Sequence, residues 1–208
     1  MIHLRLRRDP GSAWSGAGLR WFVIAALGFA LAVSLAGCGD DDDGATPTAG
    51  AVGGPASAAA MAPDLAAMGF KTVESGRVPG STQNQDTFYG IYAQAKGGKV
   101  QTVRVEINLQ ATEDLAGAQY VPLAAALRNP PPDLFGAGAV QQDGTPAFQA
   151  AQSKSYRTAD PDGQGNFVFS DIHRMGRAVV IVYTIGPDSA ETTTVRKQVA
   201  EQVAAKAK

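Results

Sequence analysis

FVFSDIHRMGRAVVIVYTI, residues 167–185, is the stretch that decides the fold. Phe167 to Arg174 is dense in aromatic and β-branched side chains, which suit a pleated, half-buried surface. Met175-Gly176 interrupts it with a turn. Ala178 to Ile185 (AVVIVYTI) is the most apolar strand of the chain, and a strand apolar on both faces belongs at the centre of a sheet. Pro187-Asp188-Ser189 then leads into a helix, where Asp188 with Glu191 resembles a capping box and Val195, Val199 and Val203 mark the buried stripe. Working outward, the same plan recurs upstream. Thr87 to Ala95 reads as a strand, Lys96-Gly97-Gly98-Lys99 as a hairpin turn, and Val100 to Leu109 as a strand. In that last strand Val103, Val105, Ile107 and Leu109 point one way while Thr102, Arg104, Glu106 and Asn108 point the other, so one face is wet or lines a polar cavity. Thr112 can cap a helix running to about Leu127, with Glu113 and Asp114 in its first turn. Pro122 should kink it and Asn129-Pro130-Pro131-Pro132 should end it.

The two halves align at a spacing of 78 residues: Val103 falls on Ile181, Val105 on Tyr183, Ile107 on Ile185 and Glu113 on Glu191. Each half reads strand–turn–strand–helix, with one or two extra strands ahead. The pseudo-repeats cover about residues 70–128 and 140–205 of a single domain spanning 62–208. The expected architecture is α+β, an antiparallel β-sheet with two helices packed on one face. Pro63 to Gly69 adds one or two helical turns ahead of a strand from Phe70 to Val78. On Arg174-Met175-Gly176-Arg177-Ala178-Val179-Val180 and the terminal helix, the domain loosely resembles PsbP-like extracytoplasmic lipoprotein and sensor domains. That resemblance implies a fold and a habitat, with no reaction or ligand attached.

Ahead of the domain the composition changes sharply. Residues 1–20 are basic, and Trp21 to Leu35 is an apolar run of 15. A spanning helix needs about 20, so the run suits the apolar region of a signal peptide. Leu35-Ala36-Gly37-Cys38 follows, and it resembles the lipobox of bacterial lipoproteins. The resemblance implies that residues 1–37 are a signal peptide cut before Cys38, with Leu35, Ala36 and Gly37 read by the signal peptidase. It also implies that lipoprotein-processing enzymes acylate Cys38, which becomes the lipid anchor. Cys38 is the only Cys in the chain, which excludes an internal disulfide framework. Residues 38–61 carry Asp40 to Asp43 and then a Gly-, Ala-, Pro-, Ser- and Thr-rich run, read as a flexible tether. The location implied is a bacterial membrane, facing away from the cytoplasm. The outer leaflet of a single membrane and an outer membrane are both open.

Residues 62–208 hold 14 basic and 14 acidic side chains, a balance that argues against nucleic-acid binding. The most distinctive local motif is Asp160 to Asp171, which resembles a twelve-residue calcium loop. Asp160, Asp162, Gln164, Asn166 and Asp171 would be its metal ligands. Against it, position 12 is Asp where the longer Glu is usual, and no helix pattern flanks the loop. The plain alternative is a hairpin loop built from turn residues. His173 shares a strand face with Asp171, a pair that would serve a hydrolase only beside a nucleophile. No G-x-S-x-G elbow is present. Arg174 and Arg177, flanking a Gly turn, could hold an anionic group, the plain alternative being solvated turn residues. The expectation is therefore a non-enzymatic, lipid-anchored binding or scaffolding domain with no resident cofactor and an unidentified protein or small-molecule partner. A calcium-stabilised adhesion or sensor module is the second reading and a hydrolase the third.

Overall fold

A computed structural model describes residues 54–83, 85–94, 98–128 and 141–208. The signal segment, Cys38, Asp40 to Asp43 and the proline run after Asn129 lie outside the described residues. The described residues form seven strands: β1 (Phe70–Gly76), β2 (Asp86–Gln94), β3 (Thr102–Leu109), β4 (Gln141–Gly144), β5 (Gln152–Thr158), β6 (Phe167–Met175) and β7 (Ala178–Gly186). Helix α1 (Glu113–Arg128) follows β3 and helix α2 (Ala190–Lys206) follows β7. All neighbouring strands are antiparallel, in the order β1-β2-β3-β7-β6-β5-β4. The fold is α+β, as the sequence predicts, and the most apolar strand, β7, sits at the centre. The polar strands β4 and β5 are the extra strands ahead of the second unit. Their side chains, QQDG and QSKSYRT, carry too little apolar alternation to be placed from sequence.

Local signals set the ends of these elements. The Thr112 hydroxyl accepts from Leu115 N–H at 3.2 Å, so Thr112 caps α1 as expected. Gly176 has φ 57°, and with Arg177 it makes the two-residue turn between β6 and β7, where a glycine at the first central position suits a hairpin. The cap of α2 departs from expectation. Ser189, not Asp188, is the N-cap, its hydroxyl accepting from Thr192 N–H at 3.3 Å. The Asp188 carboxylate is turned instead to Arg157 at 2.5 Å. Helix α1 runs through Pro122, which is exposed.

The helices do not share a face, which corrects the expected layering. Ala116, Tyr120, Ala124 and Leu127 of α1 pack with Tyr156, Ile172, Val179 and Ile181. Val195, Val199, Ala200 and Val203 of α2 pack with Val103, Val105, Ile107, Val180 and Val182. Val179 and Ile181 point to one side of β7, Val180 and Val182 to the other. Register explains the outcome. Val105 lies opposite Val182, and Arg104 opposite Tyr183. Residues 78 apart, such as Val105 and Tyr183, therefore project from opposite faces, and the helix that follows each strand is carried to its own side.

A second correction concerns the tether. Ala58 and Met61 are fully buried in the α2-side core, together with Leu65, Phe70, Phe88 and Tyr92. Short 3-10 turns at Ala59–Met61 and Ala66–Met68 carry this segment across the sheet, and Gly69 ends the second with φ 81°. Ala58 N–H donates to the Asp86 carboxylate at 2.8 Å, and Tyr92 hydroxyl to Pro63 O at 3.4 Å. The packed unit thus begins before residue 62. A single methionine in an Ala- and Gly-rich run has no periodicity to announce it.

Candidate functional site

The expected calcium set is not brought together. In the loop after β5, Asp162 Oδ1 accepts from Gln164 N–H and Asn166 N–H, both at 2.8 Å, and the Asn166 side chain also donates to this carboxylate. Asp162 and Asn166 therefore close an Asx-type turn on each other. Gln164 accepts from Gln101 at 2.9 Å, and Asp160 is exposed. Asp171 lies on β6 and faces α2, where Arg196 holds it from Nε at 2.7 Å and Nη2 at 2.6 Å. Among the described residues no group of three His, Cys, Asp or Glu side chains is placed to hold a metal ion.

Asp171 and His173 do share a face, yet each has a different partner. Arg196 is buried with Asp171, also donates to Ser155 Oγ at 2.8 Å, and lies over the Phe169 ring at 4.6 Å. His173 is 1% exposed; its Nδ1 is 2.9 Å from Ser153 Oγ, and its ring meets Phe148 edge-on. Burial pushes the His173 pKa below its ordinary 6.5, the Asp171 charge opposing and the Arg196 charge assisting. The serine beside the imidazole already accepts from Ala150 N–H at 2.9 Å, so this is a packed polar cluster of the core. Arg196 was not singled out from the sequence; it sits on the apolar stripe of α2, one residue after Val195, and that placement was its only signal.

The other face of the sheet offers more to a ligand. Helix α1 packs over β4 to β7. Beside it, β2 and β3 raise the polar alternation of 102–108. Arg104 Nη2 pairs with Glu106 Oε1 at 2.6 Å, with side chains 8% and 13% exposed. The Arg104 guanidinium lies 5.6 Å from the centre of the Tyr89 ring, and the Tyr89 hydroxyl donates to Glu74. That hydrogen bond to a carboxylate, with desolvation, raises the Tyr89 pKa, while Arg104 opposes the rise. Tyr183, opposite Arg104 on β7, has its pKa driven well up by burial. Two tyrosines thus flank an ion pair on the sheet floor. Gln110 of the β3–α1 connection donates to Gln119 of α1 at 2.8 Å and ties the helix to this side. The alternation in β3 pointed to a wet face or a polar cavity; what it could not supply was Tyr89 and Glu74, which arrive through the β1–β2–β3 register. An open hollow of about 870 Å³ lies on the opposite side between the 66–68 turn and α2, and its walls are mostly Gln, Thr and Ala.

Arg174 and Arg177 are not simply solvated. Arg174 is 4.0 Å from Glu113, and Arg177 donates to the carbonyls of Gln110 and Ala111 at 3.4 Å and of Pro55 at 3.3 Å.

No family model matches the chain, and no curated protein matches it. The fold is similar to that of the extracellular domain of PknH from Mycobacterium tuberculosis. The TM-score is 0.50 at 11% sequence identity, and the match covers 73% of this chain and 96% of that one. At this identity the likeness is one of fold. Among the described residues, no helix is long and apolar enough to cross a membrane.

Proposed function

We propose that the chain is a non-enzymatic, lipid-anchored extracytoplasmic binding domain that recognises a small charged ligand at the Arg104–Glu106 face. The observation that carries the recognition is the ion pair itself. Two charges held at 8% and 13% exposure contribute little net stability, because desolvation offsets their attraction and an apolar pair of similar volume packs as well or better. A guanidinium and a carboxylate set between Tyr89 and Tyr183 suit a zwitterionic or anionic molecule with an apolar body. The lipobox-like Leu35-Ala36-Gly37-Cys38 supports acylation at Cys38, and the PsbP-like texture of 174–180 stands with that habitat. The likeness to a domain described as extracellular supports the same side of the membrane. The geometry of Asp162, Asp171 and His173 lends no support to the calcium or hydrolase readings.

Two measurements test this. Metabolic labelling with palmitate should mark the wild type and not Cys38→Ser; equal labelling and membrane fractionation of the two removes the anchoring. Thermal melts in millimolar free amino acids, dicarboxylates and sugar phosphates should show at least one compound that raises the wild-type melting temperature. Arg104→Met with Glu106→Leu should fold and lose that rise. A rise unchanged in the double variant removes this face as the recognition surface.

A further inference from the structure

We infer that one end of the domain seats on the bilayer surface: the end where the β6–β7 turn, the β3–α1 connection and the last turn of α2 meet. The inference rests on the anchoring reading above. Three features coincide there. The chain arriving from Cys38 enters the fold at this end, where Arg177 holds Pro55 O and Asp86, paired with Leu109, holds Ala58 N–H. Only residues 39–53 then lie between Cys38 and the described fold. Read from composition as a tether, these fifteen residues would have a root-mean-square span of about 20 Å. Nine-residue β6 alone is about 27 Å long. An anchor on so short a lead keeps the entry end nearest the membrane.

Charge and shape at this end fit what it would meet. Arg174, Arg177, Lys206 and Lys208 outnumber Asp86, Glu113 and Asp114. The far end carries Asp160 and Asp162 together with Asp188 and Glu191, the last two paired with Arg157 and Lys99. Between the turn and α2 lies an apolar hollow of about 300 Å³, walled by Phe148, Met175, Ala204 and Ala207 with Arg174 and Lys208 beside them. Leu115, in the first turn of α1, is 51% exposed at the same end. Basic side chains around an apolar recess match anionic headgroups above the upper acyl region, and their attraction decays within a Debye length. Seating this end turns the loops around Asp160 and Asp162 outward.

The test uses two features of the chain. Trp14 and Trp21 both precede Cys38, and Cys38 is the only thiol, so residues 38–208 contain no Trp and one coupling site. That chain is coupled through Cys38 to a maleimide lipid in vesicles carrying a dansyl headgroup acceptor. Single-Trp variants report each end: Ala111→Trp at the entry end and Gly163→Trp at the far end, where an added Cβ meets nothing within 4 Å. On anionic vesicles energy transfer should be several-fold greater from Ala111→Trp. Arg174→Glu with Lys208→Glu, and separately zwitterionic vesicles, should bring the two positions towards equality. Equal transfer on anionic vesicles overturns the inference. So does an asymmetry undiminished by both changes, which would leave the short lead from Cys38 as its sole cause. The coupling is chemical, so these outcomes are read independently of acylation in cells, which the palmitate labelling of Cys38→Ser decides.

Discussion

Asp171→Ala should be among the most damaging single substitutions in the domain. It removes a carboxylate held by Arg196 at 2.7 and 2.6 Å, from side chains 2% and 6% exposed. What remains is a buried guanidinium over Phe169 with only Ser155 and the Thr145 carbonyl as acceptors. Breaking such a pair from one side costs about 3–5 kcal/mol. Two charge-assisted hydrogen bonds at roughly 1.5–3 kcal/mol each give an overlapping range of about 3–6 kcal/mol. For a domain of this size that lowers the melting temperature by roughly 6 to 20 °C. At a urea dependence of about 2 kcal/mol/M the midpoint falls by about 2 M. Urea melts followed by circular dichroism read both quantities. Asp171→Leu with Arg196→Met removes the charge from both sides and should recover to within about 1 kcal/mol of wild type, or exceed it. A loss below about 1 kcal/mol in the single variant, or a double variant no better than the single, would show that Arg196 is not left as an uncompensated buried charge. It would also reopen Asp171 to the calcium reading.

Three further outcomes follow from the same geometry. Met61→Ala should cost about 2–5 kcal/mol because its side chain is fully buried, and a chain starting at Ala62 should melt below one starting at Gly54; equal melts would restore the free tether. His173 is held below its ordinary pKa, so the unfolded chain takes up the extra proton. Stability is therefore full above about pH 6.5 and falls below it, by up to about 1.4 kcal/mol per pH unit, and His173→Gln should remove that component of the pH dependence of the melting temperature. Calorimetric titration of calcium should show no saturable heat up to about 10⁻³ M, in wild type or in Asp160→Ala with Asp162→Ala; a saturable signal lost in the double variant would overturn the turn assignment.

Much of the fold was legible because its signals are local. The period-2 alternation of β3, the doubly apolar β7, the Thr112 cap, the Gly176 turn and the Val195, Val199 and Val203 stripe each depend on a few neighbouring residues. The spacing of 78 also held for the helices: Glu113–Arg128 displaced by 78 lands on 191–206, within one residue of α2 at its start. Local pattern alone therefore carried the kind and order of the main elements, the central place of β7 and a polar side to β3. The rest depends on pairings between distant residues. Register across β3 and β7 is one such pairing. Had Val105 met Tyr183 in place of Val182, equivalent residues would share a face and both helices would lie there, because a one-residue slip exchanges every side chain between the two sides. Burial of Ala58 and Met61 beneath α2, the capture of Asp171 by Arg196 across 25 residues, and the meeting of Glu74, Tyr89 and Arg104 from three strands are set in the same way. Local periodicity encodes how a segment is built; which distant segment it meets, and in what register, is set by the packing of the whole core.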